Sequence, residues 1–129
     1  MKPLPPTRQG LTRREIICGN KVFITVNFFE NGEPCEVFAT VAKIGSTLQG
    51  FVNVVCILVS ALLRNGVPWS EVREKLRLHH FVPSDDKDSS IVHGIARVVD
   101  ELIGEWKNFL ADRKKEEYNK NGNEEHNAQ

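Results

Sequence analysis

Apolar and polar side chains alternate along two stretches of the sequence, residues 21–29 and 35–44. This alternation predicts two β-strands. Asn31-Gly32 between them suits a two-residue type I′ turn, whose central residues both need positive φ. A hairpin closed by that turn pairs apolar residues on one face: Val22 with Val41, Ile24 with Ala39 and Val26 with Val37.

The opposite face of the predicted hairpin is mixed. The same register pairs Phe23 with Thr40, Thr25 with Phe38 and Asn27 with Glu36. An isolated hairpin is only marginally stable in water. We therefore expect helices to cover the apolar face, and a second copy of the chain or a further strand to meet the other face.

The longest apolar pattern follows the hairpin. It predicts a helix that begins with Ser46 or Thr47 as its N-cap and ends near Asn65, because Gly66 is the residue type that commonly follows a helix. Its polar side chains are Gln49, Asn53, Ser60 and Arg64. These four residues, here called the polar stripe, span roughly 60° of the helix surface. We expect the rest of this central helix to be buried.

Two more helices complete the prediction. A short helix follows Pro68, with Val72 and Leu76 facing inward. After a loop, Ser89 or Ser90 caps a third helix, whose apolar residues keep helical spacing to about residue 110.

These elements predict an α+β fold class: an antiparallel β-hairpin, a long buried helix, a short helix and a long C-terminal helix, completed by oligomerisation. Residues 1–12 hold three prolines and are expected to form a flexible basic arm. Residues 13–111 then form the domain, and residues 112–129 a charged helix end and a disordered tail.

Composition narrows the class of protein. The chain carries 17 Lys and Arg against 17 Asp and Glu, so it lacks the net positive charge that attracts nucleic acid or a membrane surface. The apolar run at 51–63 is shorter than the about 20 residues that span a bilayer. Cys18, Cys35 and Cys56 form no C-x-x-C pair and suit a reducing compartment. We expect a cytoplasmic protein that binds neither membrane nor nucleic acid.

The start of the central helix is the first candidate site. Lys43, Gly45, Ser46 and Thr47 are a cation, a glycine and two hydroxyls. They surround a helix N-terminus, where free backbone N–H groups and the helix dipole attract an anion. A phosphate-bearing, nucleotide-like ligand suits such a site. Ordinary helix capping explains the same residues with nothing bound, and the sequence leaves both interpretations open.

The polar stripe is the second candidate. Exposed helix strips usually carry Lys or Glu, whereas the only charged residue of this stripe is Arg64. Gln49, Asn53, Ser60 and Arg64 are therefore expected to line a pocket or a subunit interface. A strip that simply contacts solvent is the alternative.

The histidines predict neither a metal site nor catalysis. His79, His80 and His93 match no established zinc spacing. Ser90 and His93 share an early helical turn, but no nucleophile motif surrounds them. We expect no metal, no cofactor and no catalytic residue, and we include His93 near the mouth of the ligand site.

Three segments carry a family resemblance: Asn-Gly-Glu-Pro-Cys-Glu-Val-Phe at 31–38, Lys-Ile-Gly-Ser at 43–46 and Ala-Leu-Leu-Arg-Asn-Gly-Val-Pro at 61–68. Together they resemble the TSCPD domain, over residues 13 to about 104. That domain occurs near the C-terminus of adenosylcobalamin-dependent (class II) ribonucleotide reductases and in stand-alone proteins of bacteria and phages.

The chain departs from this family at its signature. Where the family has Thr-Ser-Cys-Pro-Asp at the start of its last helix, the sequence reads Ser89-Ser90-Ile91-Val92-His93, and Val82 replaces a cysteine often found before the loop proline. The resemblance therefore implies a cysteine-depleted, stand-alone member. It implies no redox or metal role for those positions and no cobalamin site.

Two functions of different class follow from the sequence. The first is a non-catalytic homo-oligomer that binds an anionic, nucleotide-like ligand and, in a phage, would sequester a nucleotide signal of host defence. The second is an accessory module that docks on ribonucleotide reductase or another enzyme, as the family's usual context implies.

Overall fold

The computed structural model of the protein describes residues 2–42, 47–77, 85 and 87–127, with side chains as far as residue 122. Its elements are β1 (Gln9–Ile17), β2 (Asn20–Phe28), β3 (Pro34–Val41), α1 (Thr47–Arg64), α2 (Trp69–Arg77) and α3 (Ile91–Asn127). The strands form one antiparallel sheet in the order β1-β2-β3. The predicted α+β fold class is confirmed.

Strands β2 and β3 pair in the predicted register. Three apolar pairs lie on the inner face of the sheet and are buried: Val22 with Val41, Ile24 with Ala39 and Val26 with Val37. The register shifts at Phe28, which lies opposite Pro34. Alternation fixes this pairing because a slip of one residue would turn every apolar side chain outward.

The turns differ from the prediction. Of Asn31 and Gly32, only Gly32 has a positive φ, 88°, so the prediction of a type I′ turn there is wrong. Positive φ at both central residues occurs instead at the β1–β2 hairpin, where Cys18 has φ 49° and Gly19 has φ 79°. That loop has two residues, as a type I′ turn requires.

Two elements extend beyond the expected boundaries. Strand β1 begins at Gln9, inside the segment 1–12 that we expected to be a flexible arm. It has no clear apolar alternation because Arg13 and Glu15 occupy inward positions opposite Ile24 and Val22. Helix α3 continues to Asn127, through the expected disordered tail, where Lys and Glu favour helix and the side chains described as far as residue 122 are exposed.

The core lies between the inner face of the sheet and α3. Ile95, Val98 and Leu102 of α3 are buried there, and Trp106 stacks on Phe28 with ring centroids 4.9 Å apart. Helix α2 packs on α3, as Trp69 Nε1 donates to Asp100 Oδ1 over 3.1 Å. On the outer face of the sheet, Phe23 and Phe38 are 41% and 50% exposed.

Helix α1 packs along β3 and buries one face only, with Val52, Cys56, Val59 and Leu63. We expected it to be buried over most of its circumference. Instead its opposite side is exposed and apolar; this outer face comprises Phe51, Val54, Ile57, Leu58 and Leu62. The difference arises because α1 contacts the sheet through its buried apolar face together with Gln49 and Ser60 of the neighbouring polar stripe, and nothing within the described residues covers its opposite side.

Among the described residues, α1 is also long and apolar enough to cross a membrane by the criteria of length and composition. The core helix of a water-soluble protein meets the same criteria. Because one face of α1 is bonded to a strand, the helix is part of the folded domain.

Candidate functional site

A groove of about 540 Å³ lies between β3 and α1, and we call it the β3–α1 groove. Apolar side chains form most of its lining, including Phe38, Cys56 and Ile57. Its polar lining comes from both elements: Glu36, Thr40, Asn53, Ser60 and Arg64. Three of the four polar-stripe residues therefore lie at this groove.

Two residues of the polar stripe bond the backbone of β3. Gln49 Oε1 accepts from Val41 N at 2.5 Å, and its Nε2 donates to Ala39 O over 3.2 Å. Ser60 Oγ accepts from Val37 N at 3.0 Å and donates to Val37 O over 3.2 Å. These bonds occupy the outer edge of β3, so the main role of Gln49 and Ser60 is to attach the helix.

Asn53 and Arg64 are placed differently. Asn53 is exposed and accepts from Gln49 Nε2 at 2.6 Å. Arg64 is half-buried, and its Nε is buried without a hydrogen-bond partner among the described residues. Arg64 also lines a second cavity of about 460 Å³ near the β2–β3 turn, together with Lys2. Its guanidinium therefore lies between two cavities.

Glu36 is the acidic residue in the lining of the groove, but it already has partners. It forms an ion pair with Arg8, and Asn27 Nδ2 donates to its Oε1 over 3.1 Å. Glu36 is itself buried. Because Arg8 neutralises Glu36, the positive charge of Arg64 is not balanced within the described part of the groove.

The other predicted site residues divide into two groups. Lys43, Gly45 and Ser46, like His79 and His80, lie outside the described residues, and Thr47 is the exposed first residue of α1. His93 is described but does not line the β3–α1 groove; it lies at the start of α3, where its Nδ1 accepts from Ser89 N at 3.3 Å. Within the described ranges, no three His, Cys, Asp or Glu residues form a group able to hold a metal ion.

Sequence reasoning missed a buried ion pair beside His93. Asp88 is 1% exposed, and Arg97 holds both its oxygens, Nε to Oδ1 at 2.9 Å and a terminal nitrogen to Oδ2 at 3.2 Å. The hydrogen bond to Asp88 raises the pKa of Arg97. An aspartate just before a helix cap is the sequence signal that could have identified Asp88, whereas residue spacing gives no indication that Arg97 is its partner.

The Asp85 carboxylate connects the segment before α3 to the β1–β2 turn through hydrogen bonds from backbone N–H groups. Asp85 Oδ2 accepts from Cys18 N at 2.9 Å, and Asp85 Oδ1 accepts from Lys87 N and Asp88 N. These bonds, with that of Asp88 as the largest cause, lower the pKa of Asp85. The region fixes the start of α3 to the sheet.

The three cysteines are not activated as nucleophiles. All are free thiols. Burial is the largest cause of a raised pKa at each of them, and it raises the pKa of Cys56 to about 11. A thiol reacts as the thiolate, which a raised pKa disfavours at neutral pH.

Comparison with known proteins identifies the fold family. The model of the TSCPD domain matches residues 1–103. The chain belongs to the TSCPD domain family. The match includes residues 1–12, which the resemblance seen in the sequence left out. No solved structure gives a significant match to this TSCPD-domain protein.

The relatives are much longer proteins. The TSCPD-domain protein is 32% identical over 103 residues to a vitamin B12-dependent ribonucleotide reductase of Rhodopirellula baltica. The aligned segment makes up 80% of this chain and 10% of the reductase. The reductase of the same name from Bradyrhizobium diazoefficiens is 31% identical over 81 residues, which are 63% of this chain and 6% of the relative. That from Streptomyces clavuligerus is 32% identical over 102 residues, which are 79% of this chain and 11% of the relative. The chain thus spans about a tenth or less of these curated relatives.

Proposed function

We propose that this TSCPD-domain protein is a non-catalytic binding protein that holds a small, anionic, nucleotide-like ligand in the β3–α1 groove. The observation that carries the proposal is Arg64, whose Nε is buried and unpaired among the described residues while its side chain lines the groove. A buried polar group without a partner is costly. A bound anion that pairs with the terminal nitrogens of the same guanidinium offsets part of that cost.

The groove has the other properties of a nucleotide site. Its volume of about 540 Å³ falls within the range of small-molecule pockets, roughly 300–1,000 Å³. Phe38 is half exposed at its wall and offers a ring on which a base can stack. Thr40 and Asn53 supply hydroxyl and amide groups for a sugar or base edge. Arginine pairs with phosphate through two parallel hydrogen bonds.

We propose binding without catalysis because the nucleophilic side chains at the groove, a thiol and a hydroxyl, are not activated. Cys56 is the cysteine at the groove, and its pKa of about 11 keeps it protonated. Ser60 is bonded to the backbone of Val37. A protein that binds without turnover lowers the free concentration of its ligand, and in a phage this would sequester a nucleotide signal.

Isothermal titration calorimetry with a panel of nucleoside monophosphates, cyclic mononucleotides, cyclic dinucleotides and inorganic phosphate tests the proposal. We expect heat from at least one nucleotide, and Arg64→Gln should weaken that binding by about 10-fold or more, since it removes a charge-assisted hydrogen bond. Arg113→Gln, on the exposed part of α3, is the matched control and should bind as the wild type does.

Two results would refute the proposal. No heat and no shift in melting temperature across the panel would exclude this ligand class. Equal affinity in Arg64→Gln and Arg113→Gln, with both folded by circular dichroism, would exclude the β3–α1 groove as the site.

A second candidate function is an accessory module that docks on a ribonucleotide reductase. The observation that favours it is the match to the B12-dependent reductases, which carry this domain as about a tenth of their length. Surface plasmon resonance against a purified B12-dependent reductase tests it. Binding that persists in Arg64→Gln would favour docking, whereas no binding at micromolar concentration would exclude it.

A further inference from the structure

The outer face of α1 is an apolar surface without a charge. From Thr47 to Leu63 the helix contains no Asp, Glu, Lys or Arg. Phe51 is 68% exposed, Ile57 66% and Leu58 59%. Contiguous apolar patches of this kind mark interaction sites, since scattered single residues are the norm on a monomer surface.

The spacing on this face is that of a helix that packs against another helix. Phe51, Val55, Leu58 and Leu62 recur at intervals of four, three and four, which is the repeat of a coiled-coil contact. Val55, Leu58 and Leu62 also form one wall of a groove of about 410 Å³ between α1 and α2, here called the α1–α2 groove. The same surface therefore presents both a ridge and a groove.

We infer that a second copy of this chain covers the outer face of α1, with the two α1 helices antiparallel about a two-fold axis. A two-fold interface needs one patch that is complementary to itself. Here the ridge of one copy enters the α1–α2 groove of the other, and the reverse contact follows by symmetry. Glu71 and Lys75 line that groove and carry opposite charges. Their charges cancel, so they do not cause repulsion between the two copies.

The exposed area agrees with a dimer. With roughly 150–250 Å² for a large side chain, the five outer-face residues at 44–68% exposure present on the order of 500 Å². The remaining apolar walls of the α1–α2 groove, Val67, Val72 and Leu76, add a smaller area, and the total lies near the lower end of the roughly 600–1,000 Å² that each partner buries in a standard interface. Ile57 lies at the margin of both the outer face and the β3–α1 groove. Phe51 and Leu58 do not line that groove, so a test at these two positions does not depend on the proposed ligand.

Sedimentation equilibrium of the whole chain tests this inference. We expect a mass of twice 14.6 kDa, and Leu58→Glu should raise the dimer dissociation constant by about 100-fold, as loss of a central apolar contact does. Phe51→Ser is a second, milder variant with the same expected direction. Phe23→Glu, which changes an exposed apolar residue on the sheet, is the matched control and should leave the dimer intact.

Three results would overturn the inference. They are a wild-type monomer at high micromolar concentration, a dimer that survives Leu58→Glu and Phe51→Ser, and a dimer that Phe23→Glu alone dissociates. The third result would assign the interface to the outer face of the sheet. Co-sedimentation of a wild-type monomer with phosphatidylglycerol vesicles, lost in Leu58→Glu, would assign the face to a membrane surface instead.

Discussion

Gly94 is a buried position in the core where a single added methyl group should destabilise the fold. It lies in the first turns of α3, buried against the end of β1. A Cβ added there would lie 2.2 Å from Ile17 Cγ2 and 2.9 Å from Asp88 Oδ2. Ile17 is fully buried and Asp88 is fixed by Arg97, so neither side chain has space to move.

Two effects of opposite sign determine how much Gly94→Ala changes the free energy of unfolding. Alanine is favoured over glycine within a helix by about 1 kcal/mol. Overpacking of a core costs about 1–3 kcal/mol, and a contact more than 1 Å inside the usual carbon–carbon distance belongs at the upper end of that range. We expect Gly94→Ala to lower the free energy of unfolding by about 2 kcal/mol.

Gly104→Ala on the same helix is the matched control. No atom lies within 4 Å of a Cβ at that position, so only the helix preference remains and the variant should be stabilised by about 0.5–1 kcal/mol. Urea denaturation at one protein concentration measures both variants. A Gly94→Ala protein as stable as Gly104→Ala would refute the described contact between β1 and α3.

Three further predictions concern the buried polar groups. Asp88→Asn should cost about 2 kcal/mol in urea denaturation, because it removes the buried carboxylate that accepts two hydrogen bonds from Arg97, while Glu101 still lies 3.4 Å from that guanidinium; a loss below about 0.5 kcal/mol would contradict the buried ion pair. The raised pKa of Cys56 means that the folded state favours the protonated thiol. The stabilisation that this thiol gives to the folded state is therefore complete below pH 9 and is lost as the pH rises to about 11. The free energy of unfolding should fall by about 2–3 kcal/mol across that window, and Cys56→Ala should remove this component of the slope. Gln49→Ala should speed hydrogen exchange at the Val41 amide by at least about 10-fold; unchanged exchange would exclude the side-chain bond.

The pairing of β2 with β3 could be predicted because alternation leaves one register that buries Val22, Ile24 and Val26 together. Strand β1 could not be predicted in the same way. Its inward position at Arg13 is charged because the guanidinium reaches Glu101 and Glu105 on α3. A strand whose inward charges are neutralised by a distant helix has the sequence pattern of a loop.

The orientation of α1 was the main feature of the candidate site that sequence could not provide. Periodicity located the polar stripe, but Gln49 and Ser60 find their partners in the backbone of β3, which carries no sequence signal. A polar strip on an apolar helix normally predicts the solvent side. Here Gln49 and Ser60 of the stripe are bonded to the sheet beside the buried apolar face, and the apolar residues on the opposite side of the helix are exposed. Arg64 lines two cavities, and the prediction that it binds a ligand stays a prediction.

The attachment of α1 to β3 also governs how the sheet can grow. Because Gln49 and Ser60 occupy backbone groups of Val37, Ala39 and Val41, no further strand can be added at that end. Within the described residues, β1 is the other edge of the sheet, and two sheets that pair through one edge each form a closed dimer. Indefinite strand-by-strand polymerisation needs two such edges. Helix α1 thus covers one edge of the three-stranded sheet and blocks the strand addition that fibril formation requires.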